Sequence, residues 1–347
     1  SAPPLIVAAA LAALGARAVS GELPLVARRA SATVRRPIGL LCLAFLVFGA
    51  ISMSWGHHFK TSIAALGEVV LSAGSALVLH SALPRRIPSW AMKLAAIGLA
   101  LGCLTIISEL STGMAFRTQL GVRSYVFIFK RSVTAMLVLF WPIAIWLWIS
   151  GKRPVAVALF VLFAIAIWFA GSSAAAMGLA GGLAVAVLGE AAIRVLPAHV
   201  VDRLHFAHAD QRIDVWLSFG EVVKRRPIGG AGFGVSSRMA QEPVAQEVPE
   251  ERRVMLGAWH SHNGYLQLWA ETGLVGAAIA GATLVLLALG IAALPPAAGI
   301  AAAAVIGSAA AIMLVGHGIW QGWWSAVLGI AAFWIARLST SARMPTP

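Results

Sequence analysis

His262 is the residue of this chain best suited to proton transfer near neutral pH, because imidazole is the side chain whose ordinary pKa lies closest to neutrality. It stands in the run W-H-S-H-N-G-Y-L-Q-L-W-A-E at 259–271, where a polar stretch gives way to an apolar one. A histidine at a helix start is commonly a capping or interfacial residue. Here Asn263, Gln267 and Glu271 follow it at spacings of four, which puts the three on one helical face. Polar groups at membrane depth face an interior cavity by default, and that favours a site.

The second chemical ingredient is cationic. Arg212 lies in D-Q-R-I-D-V-W, and Arg117, Arg123, Lys130 and Arg131 crowd the polar segment 111–131. Guanidinium groups keep their charge and bind phosphate oxygens bidentately. One histidine with several arginines suits attack by a hydroxyl on a lipid-linked phosphate sugar. The base takes the hydroxyl proton and the arginines neutralise the departing diphosphate. The competing role for each arginine is to anchor a loop to lipid headgroups. No D-x-D cluster and no zinc-type Cys/His spacing occurs, so the expected chemistry requires no metal.

What must hold these residues is membrane scaffold. The 347 residues are 60% hydrophobic and 11% charged, with a mean hydropathy of +0.86. A soluble domain carries roughly 25% charged residues. Apolar runs of about 20 residues read as transmembrane helices. The formal net charge of +13 sits largely in short loops between those runs, as the positive-inside rule expects, and it calls for no nucleic acid. Cys42 and Cys103 lie inside apolar runs and are expected as buried thiols rather than a disulfide.

Ten apolar stretches are expected to be helices: 4–19, 38–55, 62–83, 91–110, 132–149, 155–170, 174–189, 264–293, 297–316 and 319–338. The chain therefore divides into an N-terminal transmembrane part (1–196), one large loop (197–262) and a C-terminal transmembrane part with a short basic tail (263–347). The cations of 111–131 run against the charge rule for an outer loop. Counting crossings forward through the hairpin at 155–196 puts the large loop inside, whereas counting back from the basic tail puts it outside. One helix of that hairpin does not span, or a crossing is missing near 190–200. The apolar start at Ser1 suggests that an upstream hydrophobic segment is absent.

Within the large loop, Ile213, Trp216, Leu217, Val222 and Val223 have the spacing of an amphipathic helix lying on the membrane or on the bundle, stopped by Pro227. The run G-G-A-G-F-G at 229–234 lacks the strand and acidic partner of a dinucleotide site. It is expected to bend so that lipid or substrate approaches closely. The mixed charges of 238–255 read as a flexible, solvated loop.

Four pieces resemble the bacterial O-antigen ligase and O-antigen polymerase superfamily. His262-Asn263, nine residues, then Gly273-Leu274-Val275-Gly276 is similar to the ligase pattern H-[NSQ]-x9-G-x-x-G. Arg212 to Trp216 followed by Arg226-Pro227 and the glycine run resembles R-x-x-x-W…P-x-x-G-x-G. Lys130-Arg131 leading to Trp141-Pro142 resembles the family's Arg at the outer end of a helix ending in W-P, and Ser52-Met53-Ser54-Trp55 resembles its S-x-x-W turn. The resemblance implies an all-α, polytopic, GT-C-type membrane glycosyltransferase of about ten transmembrane helices, with the large loop in the periplasm and the protein in the bacterial inner membrane. It implies transfer of a glycan from undecaprenyl diphosphate to an acceptor hydroxyl, without cofactor. The acceptor is lipid A–core in ligases and another lipid-linked repeat unit in polymerases. Carried over by position, His262 is the catalytic base and Arg131 and Arg212 hold the diphosphate, with Lys130, Arg123, Asn263 and Trp216 in support. A protein O-glycosyltransferase is an alternative within enzymes. A lipid-linked-glycan transporter is the non-enzymatic one, but it predicts inverted repeats and cations spread along a central path.

Overall fold

Apolar runs of this length have no water to satisfy their main chain, so they close their hydrogen bonds internally as helices. In a computed structural model of the chain, residues 3–20, 23–84, 88–122, 124–188, 209–316 and 318–341 are described, and every regular element among them is helical. The helices are α1 (Pro3–Ser20), α2 (Leu23–Val34), α3 (Pro37–Ser52), α4 (Phe59–Ala82), α5 (Ser89–Ser111), α6 (Ala115–Gln119), α7 (Phe127–Ile149), α8 (Arg153–Ala170) and α9 (Ser173–Leu188). They continue with α10 (Ala209–Arg225), α11 (Pro243–Glu247), α12 (Glu250–Arg253), α13 (Gly264–Ala292), α14 (Pro296–Val315) and α15 (Gly322–Ser341).

Among the described residues six helices are long and apolar enough to cross a membrane: α4, α5, α7, α8, α13 and α14. The count is seven if α2 and α3, which meet at 82° before Pro37, make one broken span. The chain thus has the helices of a multi-pass membrane protein. Of the ten expected stretches, 4–19 and 174–189 form shorter apolar segments. The stretch 319–338 forms α15, whose start is displaced to Gly322 by a turn. The region 190–200, where a further crossing was in question, lies outside the described residues. Cys42 and Cys103 are both free thiols, the second buried but the first exposed, because α3 turns Cys42 outward.

Contacts divide the chain into two units. The first comprises Ser1–Leu83, Asp202–Ala292 and Met313–Gly329. The second comprises Pro84–Val201, Ala293–Ile312 and Ile330–Pro347. In the second unit, α7, α9 and α14 pack through small residues. A Cβ on Gly182 would lie 2.3 Å from the Ser308 Oγ and 2.5 Å from the Trp141 ring, the close backbone approach by which helices associate in lipid. Ser308 joins all three helices: it accepts the Trp141 indole N–H at 2.7 Å and donates to the Gly178 carbonyl at 2.6 Å.

In the first unit the large loop is a packed structure, which corrects the expectation of a solvated stretch at 238–255. Met239, Val244, Ala245, Val248 and Leu256 are buried against Phe219 and Val222 of α10. The charges there are cross-ties. Arg226 pairs with Glu247, Arg252 with Asp214 at 3.1 Å, and the buried Glu242 accepts the His57 N–H at 3.0 Å and meets the His58 Nδ1 at 2.8 Å. Each pair joins segments far apart in sequence, so the charge pattern of the stretch alone could not reveal it. Pro227 follows the end of α10 as expected. Its inward face is Val215, Phe219 and Val222, whereas Ile213 and Leu217 are exposed.

Candidate functional site

The glycine run and the ligase-like G-x-x-G meet each other. Helix α13 is broken at Gly273, whose φ of 60° and ψ of −161° are non-helical. This conformation is essentially open to glycine alone. The freed main chain pairs with the glycine run. Ala231 N donates to the Ala270 carbonyl at 2.8 Å, Gly232 N to Glu271 at 2.9 Å, Leu274 N to Pro227 at 2.8 Å and Val275 N to Ile228 at 3.2 Å. The close approach that the glycines permit is therefore made by the backbone of α13, not by lipid or substrate as expected. The S-x-x-W turn docks on the same junction: Ser52 Oγ accepts the Phe233 N–H at 3.1 Å, and Trp55 lies 3.5 Å from where a Gly229 Cβ would stand.

Glu271 locks the junction. It is fully buried and accepts from Gly234 N at 2.6 Å, Ser236 N at 3.1 Å, Gln267 Nε2 at 3.0 Å and Trp320 Nε1 at 2.5 Å. The Gln267 Oε1 accepts the Ile319 N–H at 3.2 Å. Phe233 and Trp320 pack as tilted rings with centroids 4.4 Å apart beside this network. The polar face at 263, 267 and 271 is thus occupied by the protein's own loop, which corrects its reading as part of a substrate cavity. Asn263 caps α13: its Oδ1 accepts Tyr265 N and Leu266 N, each at 3.1 Å. Ser261 is buried and donates to the Asn263 carbonyl at 2.6 Å.

His262 remains, on the turn into the capped helix. Its φ of 53° is left-handed, one of two such non-glycine residues among those described. Its N–H donates to the His260 Nδ1 at 3.2 Å, and the two imidazoles pack edge to face with centroids 4.2 Å apart. A ring nitrogen also bonds to the main chain at Gly316. Burial, and secondarily the nearby Arg212 charge, hold the imidazole below its ordinary pKa, against the pull of the Gly316 contact. The neutral ring, with one nitrogen donating to the Gly316 carbonyl, keeps a lone pair on the other.

Arg212 and Trp216 sit four residues apart on α10, hence on one face. The Arg212 Nη1 and the Trp216 Nε1 are both buried, and neither has a hydrogen-bond partner among the described residues. Burial lowers the Arg212 pKa from its ordinary value, yet a guanidinium keeps its charge. Unpaired buried donors of this kind are costly, and an anion of suitable geometry would satisfy both.

The structure brings His262 into the electrostatic reach of Arg212 within the first unit. Arg131 and Lys130 lie at the start of α7 in the second unit; Arg131 is exposed, and the Lys130 Nζ sits 4.9 Å from the centre of the Phe127 ring. Arg123 lies outside the described residues. His260 and Glu271 are the residues that sequence reasoning missed in their true roles. For His260 the only signal was its position two before His262.

Residues 120–281 match the family model described as O-Antigen ligase. The matched stretch holds three of the four pieces on which the resemblance rests, and leaves the turn at Ser52 to Trp55 outside. No curated protein matches the chain.

Proposed function

We propose that this chain, which carries an O-antigen ligase family segment over residues 120–281, transfers a glycan from undecaprenyl diphosphate to an acceptor hydroxyl at the periplasmic face of the inner membrane. Lipid A–core is the acceptor, as in the ligases whose H-N-x9-G-x-x-G pattern it shares. The observation that carries the proposal is His262: a neutral imidazole held on a left-handed turn at the head of a membrane helix, in the field of an arginine with an unpaired buried donor.

The step that this geometry supports is a direct displacement. His262 takes the proton of the acceptor hydroxyl as its oxygen bonds to the anomeric carbon. The bond from that carbon to the diphosphate oxygen breaks, and undecaprenyl diphosphate leaves with the electron pair. Arg212, with the Trp216 N–H, neutralises the charge growing on the leaving group. The configuration at the anomeric carbon inverts. Asn263 and Glu271 act through the backbone, by capping α13 and by locking the glycine run to it. Arg131 enters the proposal as a second diphosphate contact on the resemblance alone, with Lys130 beside it. An Arg131→Ala enzyme with unchanged donor dependence would remove it.

The test is reconstitution with undecaprenyl-diphosphate glycan and lipid A–core, comparing wild type with His262→Ala. Transfer onto lipid A–core by wild type and its loss in the variant are expected. Elongation of the lipid-linked glycan without transfer to lipid A–core would make the enzyme a polymerase, and full transfer by His262→Ala would dismiss the base.

A further inference from the structure

A left-handed backbone at a residue with a Cβ persists only where its surroundings over-determine it, and such residues gather at functional sites. Neighbouring groups over-determine His262. Its own N–H is taken by His260 Nδ1 at 3.2 Å, and the His260 and His262 rings pack as a T-shaped pair at 4.2 Å and 63°. His260 is itself backed by the turn after α14. A Cβ on Gly318 would lie 3.5 Å from the His260 Cδ2, so that turn presents a residue without a side chain to the ring. The same turn, at Gly316, contacts the His262 ring. His262 is therefore clamped twice, through its main chain by His260 and through its ring by Gly316.

We propose that His260 is a positioning residue for the transfer: its Nδ1 and its ring hold the left-handed His262 backbone that presents the base. The proposal rests on His262 being that base. For Nδ1 to accept, His260 must be neutral with its proton on Nε2. An Asn Oδ1 can stand near the place of Nδ1 and accept the same N–H, whereas Phe keeps the ring and loses the acceptor. Misplacing a reacting group by about 1 Å costs on the order of 100-fold in rate.

The experiment compares wild type, His260→Phe, His260→Asn and His262→Ala in the reconstituted transfer with undecaprenyl-diphosphate glycan and lipid A–core. Melting in detergent verifies the fold of each. His260→Phe is expected to lose roughly 30- to 100-fold in kcat with donor KM unchanged. His260→Asn is expected to return to within about tenfold of wild type. A His260→Phe enzyme at wild-type kcat, an Asn variant no better than Phe, or a loss confined to donor KM overturns the proposal. Nitrogen NMR of wild type labelled with 15N-histidine needs no ring variant to be active. The His260 signal, assigned by its absence in His260→Asn, must show an unprotonated Nδ1, and a protonated Nδ1 at neutral pH overturns the proposal. Transfer by His262→Ala is a separate outcome, which dismisses the base itself, whereas an active His260→Phe beside a dead His262→Ala dismisses only the positioning role.

Discussion

Gly273 comes so close to Gly230 that a Cβ on it would lie 2.6 Å from the Gly230 nitrogen and 2.2 Å from the Ile228 carbonyl oxygen. A Cβ on Gly230 would in turn meet the Glu271 carbonyl carbon at 2.3 Å. Two glycines 43 positions apart therefore define one junction, in which the chain leaving α10 lies in the break of α13. Arg212 precedes that junction on one strand of the chain and His262 precedes it on the other, so the junction sets where each begins.

Gly273→Ala should accordingly be among the most damaging substitutions in the protein. The residue must leave a conformation that only glycine adopts readily, or overlap the Ile228 carbonyl, at a cost of about 3 kcal/mol or more. Gly281 lies in the same helix with open space around its Cα, and Gly281→Ala should melt like wild type. Melting curves of the two variants in one detergent check this. Equal curves would mean that the break in α13 is not fixed by Gly273.

Glu271 separates a structural carboxylate from a chemical one. Removing it as Glu271→Ala strands the Gly234, Ser236, Gln267 and Trp320 donors, each at about 1–3 kcal/mol when buried. The variant should fail to accumulate. Glu271→Gln keeps one acceptor oxygen and should be recovered, with a lowered melting temperature and a proportionate loss of transfer. If Glu271→Gln instead melts as wild type does but transfers nothing, the carboxylate belongs to the chemistry.

The helices were legible because hydropathy acts locally: a run such as that of α4 or α7 needs no partner to be recognised. The Gly273 break was not legible. In sequence the G-x-x-G stands out only as part of the ligase-like pattern, and only the main chain of residues 227–232 makes a non-helical Gly273 stable. The spacing of Asn263, Gln267 and Glu271 was legible as one polar face, but spacing cannot tell whether substrate or the protein's own glycine run fills it. Paired charges such as Asp214 with Arg252 lie 38 residues apart and look, in sequence, like solvated ones. His262 and Arg212 were legible because their residue types state the chemistry. The His260 contact was not, since it depends on the left-handed backbone of His262.

Arg212 and Trp216 should both report on the donor, to different degrees. Trp216→Phe deletes one N–H and keeps the ring, so donor KM should rise roughly 10- to 150-fold, the worth of one hydrogen bond to a charged group. Arg212→Lys should not rescue Arg212→Ala well, because an ammonium lacks the planar fork of donors. Donor titrations at saturating acceptor measure both. A Trp216→Phe enzyme with wild-type donor KM would leave the buried indole N–H unexplained by the donor.

The pH dependence of transfer tests the coupling of His262 to Arg212 directly. Burial is the larger cause of the depressed His262 pKa and the Arg212 charge the second, so the free imidazole persists below its ordinary value of about 6.5. A base works only unprotonated. The acid limb of kcat/KM should therefore fall below pH 6.5 in wild type, since that ratio reports the free enzyme. Replacing Arg212 with Gln removes one of the two causes. The His262 pKa then rises, and the acid limb should move to higher pH while staying short of the ordinary value, because burial remains. Rates from pH 4.5 to 8 for wild type and Arg212→Gln supply the comparison. A limb that stays in place, or moves to lower pH, would show that the Arg212 charge does not reach the base.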